Sequence, residues 1–446
     1  MKDDIFSILN ADTIDLPWLK AMLIDMNTVD IAEAFEELDK EKIIRLFRIL
    51  PKDIASEVFA HVDSDQQQHI IEALTDTEIG EIMSTLFVDD AVDFIEEMPA
   101  NVVRRVLQNV PSEKRKLINQ ILQYPDDSAG SIMTTEYVDL RENATVHEAF
   151  DTIRNTGLNK ETIYTCYVIR WDRVLLGVVS AKSLMLARPD ERIGDIMDTN
   201  LVFAQTTDDQ EAIANQFHKY GLLAMPVVDK EKRLVGIITV DDIVEIIVEE
   251  STEDIEKMSA LAPSDEPYLK TGIFKLARNR ILWLMVLMLS ATITGSIIVS
   301  FEASLAILPV LMSFIPMLMD TAGNAGAQVS ALIIRGMAVG EIRLKDVLRV
   351  MWREIRVGAL CGLGLGLVNI VRVYLMNGRD IMLSVTVTLS LFCTVLISKT
   401  IASLLPILAK RINIDPAVMA APMITTIVDA AALIVYFSIA KAILGI

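Results

Sequence analysis

Two carboxylates, Asp320 and Asp429, and one ammonium, Lys399, stand inside long apolar runs. An isolated charge at mid-membrane depth costs several kcal/mol, so it must face water, an ion or a partner group. On that ground Asp429 reads as functional, a carboxylate that could hold a hydrated cation. Asp320 and Lys399 are expected to form an intramembrane ion pair; otherwise Asp320 is a second ion ligand and Lys399 lines a polar cavity or reaches toward the interface. Elsewhere Asp89, Asp90, Asp93, Glu96 and Glu97 fall within two helical turns, and Glu245, Glu249, Glu250, Glu253, Asp254 and Glu256 crowd a second stretch. Like charges at helical spacing repel one another. Such clusters are either solvated faces or collectors of divalent cations. His61, His69, His147 and His218 are scattered and accompany no nucleophile, which argues against an enzyme.

The elements that must position these groups divide in two. Up to about Lys270 the 446-residue chain is acidic and mixed in pattern, and from Ile281 onward it is dominated by apolar runs. The formal net charge of −20 lies mostly in the first part and excludes nucleic acid as a natural partner. Cys166, Cys361 and Cys393 lack CxxC spacing and imply no disulfide framework. The opening MKDDIFSILN lacks the basic and apolar regions of a signal peptide, so the acidic half is expected in the cytosol. Five spans are expected, near 281–301, 303–334, 357–376, 381–408 and 417–440, the second broken by Pro309, Pro316 and Asp320. Lys270, Lys275, Arg278 and Arg280 precede the first, Arg335 to Arg356 fill the loop after the second, and Arg372 and Arg379 are the notable cations on the other side. The positive-inside rule then places the N-terminus in the cytosol and the C-terminus outside. Five helices rarely enclose an aqueous path alone, so a pore at a homodimer interface is expected. Gly358, Gly362, Gly364 and Gly366 mark close packing, either against that partner or within the chain.

The acidic half has two textures. From Asp12 to Tyr124 short helices follow one another, for example near 42–50, 54–61, 66–74 and 113–123, with Pro51, Asp63, Pro99 and Pro111 at their starts. That pattern predicts a small all-α superhelix. Between Ala129 and Glu250 two similar α/β units appear, each opening on Ser-Ile-Met or Asp-Ile-Met and closing on a shared signature, Gly177-Val-Val-Ser-Ala-Lys-Ser-Leu184 or Gly236-Ile-Ile-Thr-Val-Asp-Asp-Ile243. The glycine is expected to turn the chain, the β-branched run to be a strand, and Ser180 or Thr239 to start a helix. These units resemble CBS domains, whose paired cleft accepts nucleotides or ions. The chain therefore reads as multidomain, with a helical domain at 1–128, a tandem CBS pair at 129–190 and 191–250, an acidic connecting helix at 243–270 and an α-helical membrane domain at 271–446.

This order resembles the MgtE family of magnesium transporters over essentially the whole chain. Two motifs carry the likeness: Phe314-Ile-Pro-Met-Leu-Met-Asp-Thr-Ala-Gly-Asn-Ala-Gly-Ala-Gln328, and Asp415-Pro-Ala-Val-Met-Ala-Ala-Pro-Met-Ile-Thr-Thr-Ile-Val-Asp429. The resemblance implies a Mg²⁺-selective channel or transporter in the bacterial inner membrane, a homodimer with its pore between spans two and five and its selectivity carboxylate at Asp429. Around that carboxylate Asp320, Gly323, Asn324, Gly326 and Gln328 are the pore candidates, the glycines by freeing backbone carbonyls from helical pairing. The regulatory Mg²⁺ ligands it implies are Asp89, Asp93, Asp209, Glu211, Asp242, Glu245, Glu250, Glu253 and Asp254, the last group on the connecting or plug helix. ATP is a candidate ligand of the CBS cleft, at Thr239 and Asp242. Thr239, Asp241 and Asp242 also make an ordinary helix start. The chain departs from the family pattern at Ala327 and Ala421, which removes polar side chains near the ion path, and at Gly221, where an acidic group is usual. A less selective Mn²⁺ or Co²⁺ transporter, or a membrane-anchored ion or nucleotide sensor, is the alternative.

Overall fold

The computed structural model describes residues 16–264, 268–269, 271–376, 378, 380–419 and 421–445. Asp12, Pro267, Lys270 and Arg379 lie outside the described residues. The chain forms two compact units, Met1–Ile247 and Val248–Ile446.

The first unit begins with short helices: α1 (Leu16–Asp25), α2 (Thr28–Glu36), α3 (Lys40–Ile49), α4 (Lys52–His61), α5 (Ser64–Ala73), α6 (Asp76–Thr85), α7 (Val88–Glu97), α8 (Ala100–Asn109) and α9 (Ser112–Ile121). From α3 onward each starts twelve residues after the one before. The joints share one device. Leu50, Val62, Leu74, Leu86, Met98 and Val110 each leave the helix at ψ between 138° and 154°, and each is buried. An apolar residue sunk in an extended link keeps the turn short and anchors the next helix. Asp63 caps α5 and a capping box of Thr75 and Glu78 starts α6. Helix α2 packs on α4, α4 on α6 and α6 on α8, so neighbours bury each other's apolar faces as a stack.

Two three-stranded sheets follow, β1 (Asp139–Arg141), β2 (Thr165–Ile169) and β3 (Leu175–Ser180), then β4 (Ala204–Gln205), β5 (Ala224–Val228) and β6 (Leu234–Thr239). In each the first pair is parallel and the second antiparallel. The flanking helices are α10 (Val146–Thr156), α11 (Ala181–Leu186), α12 (Ile193–Ile196) and α13 (Gln210–Tyr220). The repeats exchange their leading segments, since Thr134 bridges to Ile237 and Asp198 to Val178. This corrects the expectation for Gly177 and Gly236, which lie inside strands and turn nothing. A Cβ at Gly236 would stand 2.6 Å from Met133 Sδ and 2.7 Å from the Thr134 carbonyl oxygen, and one at Gly177 would stand 2.8 Å from Met197 Sδ. The Ile-Met openings and the glycines are therefore two halves of one contact.

Helix α14 (Val240–Met258) runs through the division between the units and ends at Met258, so the acidic helix is shorter than the 243–270 expected. The second unit continues with α15 (Ile273–Ser300), α16 (Glu302–Ile307), a 3₁₀ turn over Pro309–Phe314, α17 (Ile315–Ala338), α18 (Val347–Met376), α19 (Ile381–Arg411) and α20 (Ala421–Leu444). Among the described residues four helical stretches are long and apolar enough to cross a membrane: Ile273–Ser300, Leu344–Met376, Ile381–Arg411 and Pro416–Leu444. Helix α17, with 24 residues, is also of spanning length. It packs on α19 and α20. Gly358, Gly362 and Gly366 face α19, where added Cβ atoms would meet Leu396, Phe392 and Thr388, so these glycines pack the chain on itself; Gly364 is open.

Replacing Gly236 with Val should lower the first unit's stability by about 2 kcal/mol, because overpacking against Met133 and backbone has no room to relax. Denaturant unfolding of the purified chain checks this. Gly272→Ala, with open space around it, is the control, and equal midpoints for all three proteins would show that the leading segment is not docked there.

Candidate functional site

In the first unit the acidic α7 faces carboxylates from both CBS repeats. Asp89 is 8% exposed, and its Oδ1 has no hydrogen-bond partner. Burial raises it well above the usual carboxylate range, and the charges of Asp90, Asp242, Glu161 and Glu136 add to the effect. Asp90 is pushed up to about 6 by burial and then by Asp242. Burial, followed by Asp242 and Asp241, takes Glu161 to about 8, and its Oε2 is likewise without a partner. Asp242 rises to about 6 through burial, against the opposing hydrogen bond donated by Thr239 Oγ1 at 2.6 Å. Asp93, whose side chain is open to solvent, borders this group, and the charges of Asp90 and Asp242 act on it. Lys114 is the cation whose charge acts on this group, and its ammonium is spent on the Leu86 carbonyl.

Among the described residues no three His, Cys, Asp or Glu side chains already converge as a metal cage. The arrangement is instead a wall of carboxylates short of cations, two of whose oxygens are buried without a hydrogen-bond partner among the described residues. Protons or divalent ions can each relieve that shortage. Sequence reasoning placed Asp89, Asp93, Asp242 and Glu245 here, and the charge of Glu245 acts on both Asp93 and Asp242. It missed Asp90's role, and it missed Glu136 and Glu161 altogether, because they come from the loops that flank β1 and β2 and carry no helical periodicity. Asp209 and Glu211 lie at the start of α13, where Asp209 accepts from the Ala212 amide as N-cap and pairs through its backbone with Ser128.

In the second unit the tail of α14 is tied down by an ammonium. Lys257 Nζ lies 2.7 Å from both Glu253 and Asp415, the latter just before the 3₁₀ turn Pro416–Met419. Glu253, expected as a metal ligand, is thus already paired. Burial and then the charge of Asp415 raise neighbouring Asp254. Met258 packs with Ile334 and Ala417 on the same side.

Asp429 lies on α20 at its seam with α17. Its Oδ1 is buried without a hydrogen-bond partner, 4.0 Å from where a Cβ on Gly323 would stand, and the charge of Asp320 acts on it. Asp320, Asn324 and Gln328, four residues apart, form one exposed polar stripe along α17. Gly323 and Gly326 are buried on the opposite side, where added Cβ atoms would come within 3.0 Å of Thr425 and Ile424. Helix α17 runs unbroken through them, so they bring the helices together and do not free carbonyls as expected. Ser398, which sequence reasoning passed over, donates to the Ala322 carbonyl at 2.5 Å and ties α19 to the same seam. The expected Asp320–Lys399 pair is not formed. Asp320 is exposed on the stripe, whereas Lys399 is 5% exposed and lines a cavity with Gln328, two turns away along α17.

The raised carboxylates fix the direction of a pH effect. They favour the compact soluble unit when protonated, so that stabilisation is lost as pH rises through about 6, for Asp90 and Asp242, and about 8, for Glu161. In chelator-treated protein the thermal midpoint of the first unit should fall between about pH 5 and about pH 8, and millimolar Mg²⁺ should raise it more at the higher pH. A metal-free midpoint that climbs with pH, or a Mg²⁺ effect equal at both values, would contradict the reading of the wall.

Comparison with known proteins agrees with this layout. Residues 315–439 match a family described as a divalent cation transporter, residues 26–127 the MgtE intracellular N domain, and residues 129–190 and 193–249 the CBS domain. The magnesium transporter MgtE of Thermus thermophilus is 34% identical over 96% of this chain and 95% of its own. That of Bacillus subtilis is 31% identical over 95% of this chain and 93% of its own. A solved structure of the cytosolic domain of the Mg²⁺ channel MgtE in complex with ATP superposes at TM-score 0.50 and 33% identity, covering 52% of this chain and 95% of that one. With these three family descriptions matched in order along it and relatives 31–34% identical over nearly its whole length, the chain belongs to the MgtE family of magnesium transporters.

Proposed function

We propose that the chain carries Mg²⁺ across a bacterial inner membrane as a homodimer, through a path lined by α17 and α20 of both protomers, with a cytosolic N-terminus and an external C-terminus. The observation that carries this reading is Asp429, whose orphaned carboxylate oxygen sits among apolar helices where no cation of the described residues answers it. A carboxylate there is tolerated if it meets water and an ion. The stripe of Asp320, Asn324 and Gln328 supports the dimer, because a polar face on a membrane helix needs water or a second polar face opposite. Mg²⁺ sheds its waters reluctantly, so one carboxylate from each protomer suits a hydrated ion that must also leave. The relatives named magnesium transporter support the choice of ion.

Cytosolic Mg²⁺ regulates the path in this reading. Ions bound at Asp89, Asp90, Asp93, Glu161 and Asp242 turn mutual repulsion into bridges, and the compact state closes the pore through α14. ATP is a further ligand of the CBS cleft, with Thr239 and Asp242 its candidate contacts; the ATP complex of the related cytosolic domain supports that class of ligand.

Asp429→Ala should reduce Mg²⁺ uptake into proteoliposomes by about a hundredfold while leaving the protein's assembly state unchanged in detergent, a loss of roughly 3 kcal/mol of ion stabilisation. Undiminished, Mg²⁺-selective uptake by that variant would remove Asp429 from the path.

A further inference from the structure

The cavity that holds Lys399 shares Gln328 with the polar stripe of α17, but its charged groups lie outside that stripe. It has a volume of 590 Å³ and opens between α17, α18 and α19, at the end of the helices where Arg335, Arg343, Arg349, Arg353, Arg356, Lys410 and Arg411 collect. Lys399 is 5% exposed and takes part in no hydrogen bond or ion pair with any described residue. Its stem passes Gly358, where a Cβ would lie 3.5 Å from its Cδ. The stem is buried while the ammonium reaches the cavity, so a group bound there meets a cation that no described residue neutralises.

The cavity's charges are balanced. Arg349 is taken up by Asp346 at 3.2 Å. That leaves Lys399 and Arg353 facing Glu341 and Glu354. A phosphate diester answers the two cations, and a primary ammonium one bond chain away answers the two carboxylates, whereas a purely anionic group would leave the carboxylates opposed. Apart from Gln328 the remaining wall is apolar, and Leu332 on it is 68% exposed, so the cavity opens at the apolar exterior of the helices. Trp352, 60% exposed with the Arg356 guanidinium 5.9 Å from its ring centroid, marks the headgroup level beside the mouth. We propose that this cavity binds the headgroup of a zwitterionic aminophospholipid, its phosphate on Lys399 and Arg353 and its ammonium on Glu341 and Glu354. The proposal rests on the reading that these helices cross a membrane, and it is tested by lipid retention alone, so its failure leaves the transport reading standing.

Full-length protein in mixed micelles holding equal phosphatidylethanolamine, phosphatidylglycerol and phosphatidylcholine is examined by native mass spectrometry for retained lipid. Wild type should retain phosphatidylethanolamine about tenfold over the other two, and Lys399→Met should abolish the preference. Arg353→Gln, at the exposed mouth, should cut it about threefold and carries the test if Lys399→Met does not fold. Preferential retention of phosphatidylglycerol overturns the proposal by showing a purely anionic ligand. Equal preference in wild type and both variants overturns it by placing the lipid elsewhere. Displacement of the lipid by an equal concentration of soluble phosphoethanolamine assigns the cavity to a free phosphate ester, and altered dimer dissociation in Lys399→Met without altered lipid retention assigns it to a second copy of the chain.

Discussion

Carboxylate oxygens kept close together with too few cations are the constraint on which the rest depends. In water such a group costs little, but partly withdrawn from solvent each added negative charge raises the cost of the next. The wall formed by Asp89, Asp90, Glu161 and Asp242 is such a group, and two of its oxygens have no partner at all. Its compactness is therefore conditional on what occupies it. That condition is what a sensor of a divalent ion requires, since an ion changes an equilibrium only by binding one state better than the other.

The same shortage recurs in the membrane unit on a smaller scale. Among the described residues Asp429 has no ion pair with a basic side chain, and the charge that acts on it, that of Asp320, is of like sign. Where the structure does supply a cation, at Lys257 between Glu253 and Asp415, the carboxylates are closed off from metal binding and the tail of α14 is held to its own unit. The contrast separates two kinds of acidic residue that look alike in the sequence. Glu253 and Asp415 have an ammonium within reach, whereas Asp89, Glu161 and Asp429 each keep an oxygen without a hydrogen-bond partner among the described residues.

Much of the fold was legible because it is periodic. The two CBS signatures, the capped short helices and the apolar spans repeat residue types at fixed intervals; the short helices follow them closely, whereas the span ends do not, since α15 starts at Ile273 rather than 281 and α17 at Ile315 rather than 303. The twelve-residue spacing of α3 to α9 went unread because its marker is a single buried aliphatic at each joint, Leu50 or Val62, too sparse to register as a pattern. Gly236 was noticed but given the wrong work, since its reason is Met133, a hundred residues away. For the sites the division is similar. Asp429 and α7 announce themselves by charge in an unusual setting, while Glu136 and Glu161 are ordinary loop residues until the sheets fold them toward α7. Lys399 and Asp320 both stand well inside their helices, but Lys399 meets α17 at Gln328, two turns from Asp320, and a count from the span ends does not fix the register of two packed helices.

The central claim is that ions filling the acidic wall close the path. Recording single-channel or macroscopic currents from excised membrane patches while the cytosolic Mg²⁺ concentration is stepped tests it most directly. The account predicts sustained opening at micromolar Mg²⁺ and steep, reversible closure at millimolar Mg²⁺, lost when Asp89, Glu161 and Asp242 are neutralised together. Currents independent of cytosolic Mg²⁺, or closure unchanged in that triple variant, would contradict it.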